Sequence, residues 1–517
     1  MSLVSFEFLL FILAVGIVYY ILPQKAKWPL LLIASLVFAA CAGVYTLGFL
    51  LISAVTTFIG GRIAGKGKSK AGRTAGAIVT IVFNIGLLCA VKYYNLLEPL
   101  KENLNNILHA SDGSILAFAV PLGMSFYTIQ MTGYVLDCLW GKIEPEKNIF
   151  RYLLWATYFP YITSGPINRY ADLSAEFTKT HSFDIEKFKA GSLRIAWGFF
   201  KKLVIAERAA SWTNAVYAAP ADFGGIYIVL GVVAFAVQLY ADFSGCMDVV
   251  IGASAILDIK LPENFNSPYF AGSIREYWRR WHSTLGDFLQ DYLFYPVLKT
   301  GFMVSLGDKA KEFYIKKYGK KEGKRKGKQV PVYLAMLILW FAVGYWHGGV
   351  WKYIIGSGLL HCFYIVSGML AEPLFEKIRP VLKADKLPFK IWRVVRTFIL
   401  VLLGFVFFRS ADVPAAIEML KALFKPALAV NAEGIYSMGL ELKDIIVLII
   451  SLLILGGVDL YKFRENDAEE PRSVIEAVSK TPAAVKWIVF TGLAAAVLIF
   501  GMYGLGYEAG SFIYASI

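Results

Sequence analysis

Five histidines punctuate this 517-residue chain, at His109, His181, His282, His347 and His361. The last three stand in strongly apolar or aromatic company. An ionisable side chain inside an apolar span is expensive, so each is a functional-site candidate by default. His347 closes a charge-free run, in Gly344-Tyr345-Trp346-His347-Gly348-Gly349-Val350-Trp351, and the two glycines beside it let backbone or substrate come close. Imidazole takes up and returns a proton near neutral pH. The chain has no phosphate-binding loop, dinucleotide glycine fingerprint, HExxH or GxSxG. Proton transfer by histidine is then the simplest chemistry available. One such base could activate an alcohol for attack on a thioester, given donors for the developing oxyanion. An interfacial histidine in an aromatic belt is the alternative, and the residues alone leave both open.

His282 ends the run Arg275-Glu276-Tyr277-Trp278-Arg279-Arg280-Trp281-His282. At helical spacing Trp278, Trp281 and Leu285 share one side, while Arg275, Arg279 and His282 lie close together on another. These arginines and indoles either anchor a helix at an interface or grip an anionic group through guanidinium forks. Upstream, Gln238-Leu239-Tyr240-Ala241-Asp242-Phe243-Ser244-Gly245 and then Asp248 set carboxylates beside apolar runs. They require partners: arginine or backbone donors, or an ion. His361 reads as a satisfied core histidine, and His109 and His181 as solvated residues of polar loops. The five cysteines form no CxxC pair, so small buried side chains are expected rather than bridges or a metal site.

The elements that must carry these residues are membrane helices. Hydrophobic residues make up 57% of the chain and charged ones 17%, against about 45–50% and 25% in soluble domains. A water-soluble protein of this length could not cover its surface, which excludes that class along with disordered and coiled-coil chains. The formal charge is +14, and half of it sits between Asp308 and Lys328, where ten basic residues face three acidic ones. Basic residues in short loops mark the cytoplasmic side and attract anionic headgroups; nucleic acid is not an expected partner. Residues 308–328 are thus expected to form a basic cytoplasmic loop, and Arg62 to Arg73 a second one.

With about 20 apolar residues per span, the candidates are Leu3–Leu22, one or two helices within Trp28–Gly61 divided near Gly43, Ala75–Val91, Ile115–Leu136, Tyr152–Ile167, Gly225–Leu239 and Val249–Leu257. Pro331–Trp346, Tyr353–Leu370, Phe398–Phe408, Ile445–Leu460 and Ile488–Leu505 follow. The expectation is an all-α polytopic membrane protein of about 11–13 segments. Several are short or broken, at Pro121 and Gly123 and at Pro160, Gly165 and Pro166. Irregular backbone at membrane depth requires protein or a water-filled cavity around it. The stretch from Pro121 to Cys362 therefore reads as a cavity-lining core. No internal repeat is visible, which weakens a transporter reading.

Taken together, the motifs resemble the membrane-bound O-acyltransferase family, and within it the bacterial alginate O-acetylation branch. The pieces are PLGMSFYTIQ (Pro121–Gln130), YFPYITSGPINRY (Tyr158–Tyr170), GFFKKLVIA (Gly198–Ala206), LYADFSGCMDVVIGAS (Leu239–Ser254), LPENFNSPYFAGSIREYWRRWHSTLGDFLQDYLFYP (Leu261–Pro296) and WHGGVWKYIIGSGLLH (Trp346–His361). Their order and spacing match over Pro121 to about Leu370. The resemblance implies one membrane-embedded acyltransferase domain over residues 1–517, helices around a tunnel, and a catalytic core at 121–370. It makes His347 the catalytic histidine and His282 its polar partner on the donor side. Trp346, Trp351, Arg279, Arg280, Trp281, Asp242, Ser244 and Asn266 are the implied substrate-binding positions. The implied donor is acetyl-CoA or an acyl-carrier thioester arriving from the cytoplasm, with no tightly bound cofactor and no metal. The implied acceptor is a hydroxyl of an exported cell-surface polysaccharide, reached directly or through an extracellular acyltransferase partner. The location is the bacterial cytoplasmic membrane.

The chain departs from that branch at Gln290-Asp291, where an Arg-Asp pair is usual, and in the lysine-rich insertion ending at Lys328. The insertion and the SGPINRY stretch are also similar to the D-alanyl teichoic acid transfer branch, whose acyl group comes from a small acidic carrier protein. Two other classes stay in view: a transporter or flippase whose histidines line a path without chemistry, and a scaffold for a catalytic chain elsewhere.

Overall fold

The computed structural model describes residues 1–92, 121–425, 432–465, 474–503 and 513. Among the described residues all regular structure is helical, and nine helices are long and apolar enough to cross a membrane. This is the all-α polytopic membrane protein that composition demands. The chain divides into two compact units.

The first unit comprises residues 1–204, 241–263 and the described part of 475–517. Gly43, at φ 121°, separates helices Gln24–Cys41 and Val44–Lys66, so the charge-free stretch holds two helices. Helix Ile149–Thr157 stops ahead of Pro160, and residues 158–169 run on as buried turns and irregular chain. Protein groups satisfy this backbone: Phe159 N–H donates to Ser35 Oγ at 3.1 Å, Gly165 N–H to the Tyr161 carbonyl at 2.8 Å, and Asn168 N–H to Gln130 Oε1 at 3.1 Å. The breaks thus sit where irregular chain at depth is tolerated. The start of Ile115–Leu136, like His109 and the end of Ile488–Leu505, lies outside the described residues, and helix Met124–Leu139 carries the rest.

Two expectations fail in this unit. His181 is buried, with Nε2 2.8 Å from the Glu176 carbonyl and Nδ1 3.4 Å from Asp258. Acceptors facing both ring nitrogens give a loop histidine a reason to leave water. The segments Gly225–Leu239 and Val249–Leu257 are one 32-residue helix, Gly225–Ile256, whose residues from Ala241 on belong to this unit and whose earlier residues belong to the second. Its polar centre does not break it, because lysines from the stretch Phe200–Ala206 meet its carboxylates. Lys202 pairs with Asp242 at 2.6 Å, Lys201 with Asp248 at 2.5 Å, and Arg194 with Asp248 at 3.0 Å. Asp248 has its expected arginine, and Asp242 accepts from the Ile513 backbone N–H at 2.8 Å as well as from its lysine.

The second unit comprises residues 205–240 and 264–474. Its most extensive helix pair is an antiparallel hairpin, Gly301–Tyr318 and Lys320–Gly348, turning at Gly319 with φ 79°. Residues 308–328 therefore form the tip of a helical hairpin, where a loop was expected. Small residues zip it: a Cβ on Gly327 would lie 2.5 Å from Lys311 Cα, and one on Gly323 would strike the Ile315 backbone. Glycines let backbones meet at van der Waals distance, so lysines elsewhere on both helices can point outward.

Candidate active site

Both candidate catalytic histidines belong to the second unit, each held by a different local device. His347 lies in the last turn of helix Lys320–Gly348, which Gly349 ends at φ 72°, a conformation suited to glycine. Close packing fixes that helix end. A Cβ on Gly344 would lie 2.6 Å from Ile354 Cα, and one on Gly358 2.5 Å from the Trp340 carbonyl. The partner segment, Ile354–Leu359, is a π-helical turn between Trp351–Tyr353 and Leu360–Ile378. Such bulges redirect a helix locally and recur at functional sites. On the far side, Gly356 meets Phe407 and the Gly404 carbonyl of helix Leu387–Arg409.

Only 2% of His347 is accessible. Its Nδ1 lies 2.8 Å from the Val343 carbonyl. A carbonyl oxygen can only accept, so Nδ1 carries the proton and the neutral ring keeps its lone pair on Nε2. Phe408 packs edge-on against the imidazole at 5.6 Å, and Trp346 at 5.1 Å.

His282 is equally buried but sits on irregular chain. Helix Ile274–Arg280 begins at the Ser273 cap and ends before Trp281. His282 then takes φ 47°, ψ 48° and caps helix Ser283–Leu289. A left-handed histidine is uncommon and costs on the order of 1–3 kcal/mol, so its surroundings must impose it. They do so through a short antiparallel bridge between Phe265 and Trp281. Asn266 N–H donates to the Arg280 carbonyl at 2.9 Å, and Ser283 N–H to the Asn264 carbonyl at 3.1 Å. Asn264 Oδ1 also lies 3.0 Å from His282 Nδ1.

Trp346 brings the histidines together: its ring centroid is 5.1 Å from that of His347 and 6.3 Å from that of His282. The structure thus joins His282, Trp346 and His347 in one cluster with no carboxylate in its hydrogen bonds to Asn264 and Val343. Both rings are directed to the Nδ1–H tautomer, which suits Nε2 to receiving a proton.

The other implied positions have different surroundings. Trp281 is walled in by Tyr277 at 5.7 Å and Phe265 at 5.0 Å. Arg280 pairs with Glu276 at 2.9 Å and stacks on Phe463. Arg279 is exposed and has no ion pair among the described residues. Trp351 is 66% exposed. Asn266 meets Arg280 through its backbone. Asp242 and Ser244 lie in the first unit, bonded to Lys202 and Lys201.

Two readings of the sequence need correction here. The helix stops at Arg280, so His282 leaves the face carrying Arg275 and Arg279: those two are exposed while it is buried. His361 is a core residue but not a satisfied one. It packs against Trp278 at 5.0 Å and Trp340 at 5.8 Å, and its buried Nδ1 has no hydrogen-bond partner among the described residues. Reasoning from sequence missed Asn264, although PENFN carried it, and the lysine pair of GFFKKLVIA. Two consecutive cations in an apolar run were the available signal.

The profile of the MBOAT, membrane-bound O-acyltransferase family, matches residues 146–307. The probable alginate O-acetylase of Azotobacter vinelandii is 29% identical, over 98% of this chain and 97% of its own. That of Pseudomonas aeruginosa is 31% identical over 78% and 71%, respectively. The peptidoglycan O-acetyltransferase of Helicobacter pylori is 28% identical over 78% and 76%. An identity of 31% maintained over most of both chains makes this one a member of the membrane-bound O-acyltransferase family, an acyltransferase and a multi-pass membrane protein.

Proposed function

We propose that this enzyme transfers an acyl group, acetyl in the first instance, from a thioester donor to a hydroxyl of an exported cell-surface polysaccharide. The single observation carrying this reading is the buried His282–Trp346–His347 cluster with both rings directed to the Nδ1–H tautomer. His347 Nε2 takes the acceptor hydroxyl proton as that oxygen attacks the thioester carbonyl. The new C–O bond forms, the C–S bond breaks, and the departing thiolate recovers the proton from the imidazolium. His282 is the polar partner on the donor side. Catalysis by one such base typically contributes about 10²–10⁴-fold, and burial strengthens every dipole aimed at the developing charge.

The donor is acetyl-CoA or an acyl-carrier thioester, a substrate rather than a resident cofactor. It enters from the cytoplasm while the acceptor, directly or as an extracellular partner acyltransferase, approaches the same tunnel from outside the cytoplasmic membrane. Arg279, exposed and without an ion pair among the described residues, is available to an anionic donor. The relatives named as alginate and peptidoglycan O-acetylating proteins support acetyl and polysaccharide. The net +7 hairpin tip favours a second reading, D-alanyl transfer from an acidic carrier protein. The experiment is thiol release by the enzyme in proteoliposomes containing polysaccharide from the same cells. Release from acetyl-CoA or an acetylated carrier supports acetyl transfer, and release only from a D-alanylated carrier replaces it with the second reading. Polysaccharide transport without thiol release contradicts both.

A further inference from the structure

Asn264 is completely buried, and its side-chain oxygen collects three contacts from the segment that bears His282. Oδ1 lies 3.2 Å from Thr284 N, 2.9 Å from Thr284 Oγ1 and 3.0 Å from His282 Nδ1. The first contact fixes the chemistry of the other two. A backbone N–H can only donate, so the atom facing it is the amide oxygen rather than the amide nitrogen. That oxygen is then an acceptor for the imidazole as well, and the atom it faces, Nδ1, is a donor. The main chain of the same asparagine accepts from Ser283 N–H at 3.1 Å. Asn264 therefore grips residues 282, 283 and 284 together, where His282 is held at φ 47°.

We propose that Asn264 is a positioning residue of the acyl-transfer site: it selects the Nδ1–H tautomer of His282 and fixes the left-handed turn that aims Nε2. This rests on the acyl-transfer reading above for its consequence in catalysis. Its structural half, the tautomer, does not. Val343 performs the same office for His347 through a backbone carbonyl. His282 lies between two short helices, and a side chain from PENFN supplies its acceptor. Asparagine fits because it presents a neutral oxygen: the imidazole is oriented without the charge of a carboxylate beside it.

The test has two arms. In the first, the full chain is labelled with ¹⁵N-histidine in detergent micelles without substrate, and His282 is assigned by difference from His282→Gln. The expected spectrum shows His282 protonated at Nδ1, with Asn264→Leu moving the proton to Nε2 or mixing the tautomers. A wild-type His282 protonated at Nε2 overturns the proposal. In the second arm, thiol release is measured for the same variants. Asn264→Leu is expected to lower kcat roughly 10- to 100-fold, the range seen when partners orienting metal-bound histidines are lost, with KM for the donor moving less. Asn264→Asp, which keeps an acceptor oxygen, is expected to recover the tautomer and part of the rate. Thr284→Val, which removes one donor and leaves the imidazole contact, is expected to stay within about threefold of wild type and reports whether loosening the segment alone is enough. Equal losses in Asn264→Asp and Asn264→Leu, with both folded, overturn the positioning role. A wild-type enzyme that shows the expected tautomer but releases no thiol leaves the orientation standing and removes the acyl-transfer reading instead.

Discussion

Nδ1 of His347 donates to the carbonyl of Val343, one turn earlier on the same helix, at 2.8 Å. The bond uses a carbonyl already engaged near the helix end, and leaves the lone pair of the neutral ring on Nε2. A side chain that kept this bond but carried no basic atom would separate orientation from chemistry. His347→Gln is closer to such a change than His347→Ala, because its amide can still donate. Both are expected to lose acyl transfer by about 10²-fold or more, the contribution of a positioned general base. Retained thiol release in His347→Gln would assign the residue to packing.

The close approach at Gly344 makes a second prediction. Any Cβ there meets the Ile354 backbone at 2.6 Å, which cannot swing aside as a side chain can. Gly344→Ala is therefore expected to cost about 1–3 kcal/mol by overpacking and to displace His347 three residues on, lowering activity beyond the loss of folded protein. Gly456→Ala is the control. Nothing lies within 4 Å of its added carbon, so thermal unfolding in detergent should move little or upward.

Breaking the buried pair of Lys202 and Asp242 leaves a charge without its counter-ion. Lys202→Met is expected to destabilise the first unit by about 3–5 kcal/mol, the cost of stranding one member of such a pair. The double variant Lys202→Met/Asp242→Asn, which removes both charges, should recover much of that loss. Thermal unfolding monitored by size-exclusion chromatography separates the two, and equal losses in the single and double variants would contradict the pairing.

The basic hairpin tip makes a kinetic prediction. Replacing Lys316, Lys317, Lys320 and Lys321 with Gln leaves the glycine zipper in place and is expected to raise KM for an anionic donor by about tenfold at low salt, the lower end of electrostatic steering. Raising ionic strength should weaken the wild type more than the variant. An unchanged KM with unchanged salt dependence would remove the hairpin from donor capture.

Much of this architecture was legible because membranes leave few solutions. Low charge demanded helices, the break at Gly43 separated two of them, and Pro160, Gly165 and Pro166 marked chain that only a protein interior could hold. His347 was visible from its apolar context, and His282 from the run of indoles and arginines before it. The rest depended on contacts far apart in sequence. Arg275, Arg279 and His282 share a helical face only if the helix continues, and the bridge of Phe265 to Trp281 ends it. The lysine-rich tip looked like a loop because of its concentrated charge, whereas glycines 323 and 327 are points where two helices touch. The polar centre of Gly225–Ile256 looked like a gap because its lysine partners lie some forty residues upstream.

The most direct test of the central claim is mass spectrometry of acyl groups on released cell-surface polysaccharide, comparing wild type with His347→Ala at matched protein levels. Acetyl groups present in the wild type and absent from the variant are the predicted result. Acetylation unchanged in His347→Ala would contradict the account.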